Sequence, residues 1–263
     1  MINKCSEKDI KRILAYIGND YGKCLYMFVD IKKYGVDKDF FSLWTSESEN
    51  GNIRALVSKY HSGMQLFSRT NDFDVYEIKE LINLYDPSMI VGMDETLEKI
   101  RTVLSGYDEE YGMVGKLTGL QIVPSGEAYS AGDEEIKDIV DLISEDEALG
   151  GPYEYEELMD QYKERRKEKF GRNYIQRDND NRLIGHAATY AETEEIAVIS
   201  GVITAPAYRG CGYSKGILAA LCNELLEEGK NVFSYYYIPA AKKMHEGIGF
   251  ETIGKWTKLI RVK

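Results

Sequence analysis

Hydrophobic and polar positions switch between a helical period and strand-like runs along most of the chain, and the second half shows the switch more clearly. From Asp133 to Ser144 (DEEIKDIVDLIS), Ile136, Ile139, Val140 and Ile143 fall at helical spacing, and Tyr155 to Lys169 continues as a second, highly charged helix. Arg172 to Arg177, a DNDN turn at Asp178 to Asn181, and Arg182 to Tyr190 read as a hairpin. Glu195 to Thr204 (EIAVISGVIT) is almost continuously apolar, the pattern of a central strand covered on both faces, and Gly201 inside it marks a bulge or a close backbone approach. Pro206 ends that strand. Tyr213 to Glu228 then places Ile217, Leu218, Leu221, Leu225 and Leu226 on one helical face, with Gly229 as its cap. Asn231 to Ile238 is a strand, Pro239 opens a short helix to Gly247, and two final strands flank Gly254.

The first half repeats this order with weaker signals. It predicts a helix over Ser6 to Tyr16, strands at Leu25 to Ile31 and Phe40 to Thr45, an ENGN turn, and strands at Ile53 to Lys59 and Met64 to Ser68. A helix at Val75 to Leu84, a strand at Ser88 to Met93, a helix at Asp94 to Leu104 and a strand at Glu109 to Leu117 follow. The shared order implies an internal structural duplication with its boundary between Thr118 and Gly126.

Composition narrows the function classes. With 263 residues the chain is nearly twice a typical domain, and 43% hydrophobic with 29% charged residues is a globular balance. The net charge of −11 disfavours a protein that works by neutralising nucleic-acid phosphates, and it suits a cationic substrate better. No apolar run approaches a membrane span, and MINKCSEKDI carries no secretory apolar region. Cys5, Cys24, Cys211 and Cys222 form no C-x-x-C pair and have no histidine at ligand spacing, so no metal site is expected. Reduced thiols in a cytoplasmic protein are the reading that follows.

The segment richest in chemistry is Val202 to Lys215, VITAPAYRGCGYSK, which joins the buried strand through Pro206 to a glycine-rich helix start. Such an end presents unpaired backbone N–H groups and the positive end of the helix dipole, which together bind phosphate. Gly210 and Gly212 let the backbone approach phosphate oxygens, Arg209 adds charge, and Ser214 and Lys215 add donors. The spacing is not that of a Walker loop, and Lys215 stands where a dinucleotide fingerprint needs its third glycine.

At these residues the sequence resembles the acetyl-CoA-dependent acyltransferases of the GNAT superfamily, whose pyrophosphate loop is [Q/R]-x-x-G-x-[G/A] within V-x-P-x-x-R-G-x-G. TAPAYRGCGYS matches with Thr204 in place of the valine and Ser214 in place of the final small residue. PAAKKMHEGIGF, Pro239 to Phe250, is similar to the family's closing helix and the G-F step into the next strand. The resemblance covers about residues 122 to 263, and the loop's wording is most similar to the branch with the glycine N-acyltransferase type C-terminal domain. It implies that Val202, Ile203 and Thr204 pair with the pantetheine arm, where the two central strands splay apart. Arg209, Gly210, Cys211, Gly212, Tyr213, Ser214 and Lys215 would hold the pyrophosphate. An N–H near Val202 or Ile203 would polarise the thioester carbonyl while an amine attacks it.

For proton transfer the resemblance leads to a position four residues before the G of G-F, where many members carry tyrosine and this chain has His245. An imidazolium there could protonate the departing sulfur, or the ring could simply pack. His186 and Glu195 are candidate bases, with a hydrogen-bonded structural histidine the competing reading for His186, and Ser200 could orient a water. Glu192 and Glu194 read as a solvated turn. KERRKEK, Lys163 to Lys169, reads as a solvated face with i,i+4 pairs, and Tyr235 to Tyr237 as packing. In the first half the place of the phosphate loop is taken by SRTNDFD, Ser68 to Asp74, with two aspartates and no glycine, so that half should bind no CoA.

The expectation is therefore an α/β (α+β) chain of two GNAT-like domains in tandem, each with a mixed, mostly antiparallel sheet flanked by helices. Residues 1–120 would be a degenerate copy and 121–263 the catalytic domain, an N-acetyltransferase taking acetyl-CoA as co-substrate and a small-molecule primary amine as acceptor. The competing expectation is a non-catalytic acyl-CoA binding or sensing module. Either would be a monomeric pseudo-dimer or a homodimer, with no nucleic-acid or membrane partner.

Overall fold

The computed structural model describes residues 1–36, 38–147, 149–151 and 154–262. The chain forms two compact units, Met1–Val114 with Ile253–Lys263, and Gly115–Thr252. Its elements run β1 (Ile2–Lys4), α1 (Ile10–Ile17), α2 (Leu25–Tyr34), β2 (Phe41–Glu47), β3 (Ile53–Tyr60), β4 (Gly63–Phe67), α3 (Val75–Tyr85), β5 (Met89–Met93), α4 (Asp94–Arg101) and β6 (Tyr107–Leu117). They continue with β7 (Tyr129–Ser130), α5 (Ile136–Ser144), α6 (Tyr155–Lys167), β8 (Asn173–Arg177), β9 (Leu183–Glu192), β10 (Ile196–Thr204), α7 (Tyr213–Glu227), β11 (Asn231–Tyr236), α8 (Pro239–Glu246) and β12 (Phe250–Arg261).

In the first unit the strand order is β1-β2-β3-β4-β5-β12. Only β4 and β5 pair in parallel; the other neighbours are antiparallel. Ile78, Leu81 and Ile82 of α3 and Leu97 and Ile100 of α4 pack with Trp44, Val57, Leu66 and Leu259 of the sheet. A division at residue 120 keeps 121–263 together, whereas contacts group Ile253–Lys263 with the first unit, because β12 pairs with β5 from Trp256↔Met93 to Ile260↔Met89.

The second unit orders its strands β11-β10-β9-β8-β7, parallel between β10 and β11 and antiparallel elsewhere. One face of this sheet carries α7, whose Ile217, Leu218, Leu221, Cys222 and Leu225 pack on Ala187, Ala197, Ile199 and Val232. The other face carries α5 and α6, with Ile139, Val140, Ile143 and Leu158 on Ile175 and Ile203.

Two expected elements take another form. Leu25 to Ile31 is not a strand but the body of α2, which buries Leu25, Met27, Phe28, Val29 and Ile31. An apolar run this short has no decisive period, and burial on several sides hides the helical one. The expected pair of strands around Gly254 is a single strand, β12. Gly254 makes room rather than a turn, since a Cβ there would stand 2.2 Å from Cε of Met93.

Candidate functional site

The site begins with a local fault in β10. Between Ser200↔Ala188 and Ile203↔His186, β10 takes three residues to pass two of β9, so one residue bulges. Gly201 absorbs it at φ +59, a conformation that favours glycine. The bulge also changes which side chains face which helix. Ala197 and Ile199 lie against α7 at the normal spacing of two, Val202 also faces α7 although three residues further on, and Ile203 faces α5 and α6.

Beside the fault the sheet opens. β10 and β11 pair from Ile196↔Asn231 to Ile199↔Ser234, and among the described residues the ladder goes no further although both strands continue. The edge of Ser200 to Thr204 facing β11 therefore has no strand partner, and an extended ligand can supply one.

The opening leads to a helix start. After Thr204 a single 3-10 turn, Pro206–Tyr208, brings the chain to Arg209 and then to Gly210 (φ +82) and Gly212 (φ +85). Nothing lies within 4 Å of where a Cβ would stand on either glycine, and no side chain caps the first turn of α7. The first-turn N–H groups at Tyr213 and Ser214 thus have no side-chain cap at the positive end of a 15-residue helix. Arg209 does not reach over this end. Its Nε donates to the Thr204 carbonyl at 3.1 Å and its guanidinium pairs with Asp146 at 3.5 Å, so the side chain braces the loop. Lys215 Nζ lies against Gly247 at the end of α8, and Cys211 is exposed.

The corresponding place in the first unit is built the opposite way. Beyond the pairs Gly63↔Met89 to Gln65↔Val91 the strands stay close, and a Cβ on Gly92 would stand 2.7 Å from the Leu66 carbonyl oxygen. The start of α3 is also filled. The Asp74 carboxylate accepts from the N–H of Tyr76 at 2.8 Å and of Glu77 at 3.3 Å, satisfying the donors a phosphate would need.

His245 and His186 are both buried in the second unit, and each has a hydrogen-bond partner at both ring nitrogens. His245 is 3% exposed, with Nδ1–H donating to the Ala241 carbonyl at 2.8 Å and Nε2 accepting from the Ser234 hydroxyl at 2.8 Å. It also stacks on Tyr236 and meets the edge of Phe250. His186 is fully buried, with Nδ1 2.7 Å from the Gly201 carbonyl and Nε2 3.0 Å from the Asn173 side-chain Oδ1. Burial lowers the pKa of both rings, that of His186 to about 4. Burial thus favours the neutral ring at both positions, and the bonds match the packed reading of His245 and the hydrogen-bonded structural reading of His186.

Glu195 lies away from the bulge. It binds the Thr193 hydroxyl at 2.8 Å at the start of β10, and the bulge is five or more residues on, about 16 Å at strand spacing. Ser200 remains, half-buried at the edge of the bulge.

Three groups emerge only in three dimensions. Asn173 and Tyr162 surround the bulge with His186, and Tyr162 Oη would stand 3.2 Å from a Cβ on Gly201. Glu192 is not a solvated turn residue; its side chain is 7% exposed and pairs with Arg172 at 2.7 Å and Lys230 at 3.3 Å. Arg172 also reaches Glu224 and Glu228, tying β8 and β9 to α7. In KERRKEK, Arg165 lies over Tyr162 and Tyr190, and Arg166 pairs with Asp133, so that face is partly a packing surface.

The buried imidazoles give an acid-stability prediction. The unfolded chain binds a proton at His186 below about pH 6.5, while the folded ring resists it until about 4. Stability present above pH 6.5 is therefore lost as pH falls to 4, on the order of 3 kcal/mol from this residue, with no further loss from it below that. His245 acts in the same direction. Urea titrations at intervals between pH 4 and 7 should show a shallower slope in His186→Asn than in the unaltered chain; equal slopes would contradict the assignment.

The stretch that holds the bulge and the uncapped glycine-rich helix start is similar to a known family. Residues 136–250 match the Acetyltransferase (GNAT) family. That region runs from α5 to the first residue of β12 and contains the bulge, the opening and the α7 start. Solved structures match over nearly the whole chain at low identity. A GNAT-family acetyltransferase from Colwellia psychrerythraea is 16% identical, with 99% of each chain covered and a TM-score of 0.63. A GCN5-related N-acetyltransferase from Sphaerobacter thermophilus is 12% identical, covering 99% of this chain and 96% of that one, with a TM-score of 0.68. A tandem GNAT protein from the clavulanic acid biosynthesis pathway is 14% identical, covering 98% and 97%, with a TM-score of 0.60. No curated protein matches. The expected fold class, mixed α/β with GNAT-like sheets flanked by helices, is the one observed. Among the described residues no helix is long and apolar enough to cross a membrane, and no group of His, Cys, Asp or Glu could hold a metal ion.

Proposed function

We propose that the second unit transfers an acetyl group from acetyl-CoA to the primary amine of a small molecule, and that the first unit is a copy that holds no CoA. The observation that carries this reading is the continuity of three features: the unpaired edge of Ser200 to Thr204, the bulge at Gly201 and the uncapped start of α7. Amides of Gly210 to Ser214 would bind the pyrophosphate, and the edge of Val202 to Thr204 would pair with the pantetheine amides. Arg209 adds positive field and braces the loop through Asp146. The acetyl carbonyl would then lie at the bulge, where a backbone N–H stabilises the charge that grows on its oxygen.

The acceptor nitrogen adds to the thioester carbon, the C–S bond breaks, and CoA leaves as a thiolate while the nitrogen gives up a proton. With His245 and His186 held neutral and bonded, that proton passes to water, and Ser200 is the side chain placed to orient such a water. A thiolate whose pKa is near 8.5 is a tolerable leaving group without a protein acid. The acidic balance of the chain favours a cationic acceptor such as a polyamine or an aminoglycoside. The loop's similarity to the glycine N-acyltransferase type branch fits an amine acceptor too. The setting is cytoplasmic, as a monomeric pseudo-dimer or a homodimer.

One observation favours a second reading. Both histidines are committed to hydrogen bonds, so the unit could bind acyl-CoA without turning it over. Thiol release from acetyl-CoA across a broad amine panel separates the two. Amine-dependent release is expected, whereas tight CoA binding with no such release would make this a sensing module. Calorimetry should count one acetyl-CoA per chain. Two equivalent sites would contradict the closed state of the first unit at Asp74 and Gly92.

A further inference from the structure

The bulge in β10 has a built-in brace. His186 sits on the neighbouring strand β9, paired across from Ile203, and its ring turns to the carbonyl of Gly201 at 2.7 Å. A carbonyl oxygen can only accept, so Nδ1 carries the proton of the neutral ring. Nε2 is then an acceptor; the atom placed 3.0 Å from it is Oδ1 of Asn173, which cannot donate, so we assign the flipped amide, with the NH2 in that place. Asn173 is itself held, since it is 4% exposed and its carbonyl accepts from the Ala131 N–H at 2.8 Å. The Tyr162 ring lies 6.0 Å from the imidazole and closes the pocket. His186, Asn173 and Tyr162 are all buried, and a carbonyl that loses its donor beside them is costly.

The direction of that one bond has a consequence for the peptide that follows it. In a trans peptide the C=O and the next N–H point in opposite directions. With the Gly201 oxygen turned toward His186, the N–H of Val202 must point away from the imidazole. We propose that His186 is a positioning residue that, through the Gly201 carbonyl, aims the Val202 N–H at the thioester oxygen in the opening beside β11. Gly201 belongs to the same device, because its φ of +59 sets the peptide turn and a Cβ there would come within 3.2 Å of both the His186 ring and Tyr162 Oη. The burial that keeps the ring neutral, helped by the nearby Arg165 charge, keeps the bond in one tautomer through the pH range in which an acetyltransferase works. His186 never touches substrate in this account.

The inference rests on acetyl-CoA binding in the second unit, and its test separates the two claims. Infrared difference spectra of the full-length protein with [1-13C]acetyl-CoA read the thioester carbonyl directly. In the unaltered protein the bound carbonyl stretch should fall below that of free acetyl-CoA. In His186→Leu, which fills space without a donor, that shift should vanish and kcat fall at least tenfold, while the dissociation constant for acetyl-CoA stays within about threefold. His186→Asn, which places an N–H near the position of Nδ1, should restore most of the shift. An unchanged carbonyl stretch and unchanged kcat in folded His186→Leu would overturn the proposal. Should that variant fail to fold, 15N spectra of histidine in the unaltered protein decide. A ring protonated at Nδ1 and not titrating between pH 5 and 8 supports the brace, and an Nε2–H tautomer or titration in that range overturns it. If the unaltered protein bound no acetyl-CoA at all, the proposed function would fail while the 15N result still stood or fell separately.

Discussion

Gly212→Asp should abolish acetyl-CoA binding, weakening it by at least a hundredfold without unfolding the chain. The prediction comes from comparing two helix starts in one molecule. At α3 the Asp74 carboxylate occupies the free N–H groups of Tyr76 and Glu77, and at α7 the equivalent place is Gly212, uncapped and open. A carboxylate at 212 would place a negative charge beside the amides of the first turn and would repel the pyrophosphate. Nothing lies within 4 Å of a Cβ there, and aspartate, like asparagine, is enriched among the few residues found at positive φ, so the backbone strain at φ +85 is smaller than for most side chains. A hundredfold loss corresponds to about 2.7 kcal/mol, within reach of a lost anion site plus a like charge. Gly212→Asn separates shape from charge and should lose several-fold less. Calorimetric titration with acetyl-CoA measures both variants. Unchanged affinity in Gly212→Asp would mean that the helix start of α7 does not hold the phosphates.

Gly249→Ala should destabilise the second unit by on the order of 4 kcal/mol. Gly249 has φ +122, where a side chain is rarely accommodated, and a Cβ there would stand 1.9 Å from the Gly119 carbonyl oxygen. The neighbouring backbone is fixed, because the Thr118 N–H donates to the Gly249 carbonyl at 3.2 Å and the Gln121 N–H to the Ile248 carbonyl at 2.9 Å. One of these segments would have to move. Thermal melting should show a midpoint lower by about 10 °C or more for a unit of this size. A midpoint within 2 °C of the unaltered protein would show that the contact yields easily. Gly254→Ala makes a useful contrast, since its nearest neighbour is the flexible end of Met93 rather than backbone.

The amino-acid sequence revealed the second unit well because its signals are local. The Pro206 stop, the two glycines before α7 and the face of Ile217, Leu221 and Leu225 each act within one or two turns of chain. The bulge was visible as Gly201, because only a special backbone need places glycine in a buried apolar strand. What the sequence could not show were the partners. Nothing near His186 announces that its ring is bonded to a carbonyl 15 residues on and an amide 13 residues back. His245, on α8, is likewise tied to Ser234 on β11. Single histidines next to small residues look alike whether they are reactive or braced, and only burial and hydrogen-bond geometry tell them apart. Leu25 to Ile31 misled for a related reason, since a run of apolar residues records burial without recording period. The two aspartates of SRTNDFD were more informative, and Asp74 caps α3 with the negative charge expected to repel phosphate there.

The central claim is that one helix start, that of α7, holds the cofactor while that of α3 does not. Amide hydrogen exchange of the full chain with and without acetyl-CoA tests it most directly. The account predicts slower exchange across residues 200–216, covering the bulge, the strand edge and the phosphate loop, with no change across residues 68–78. Protection at 68–78, or none at 200–216 under saturating acetyl-CoA, would contradict it.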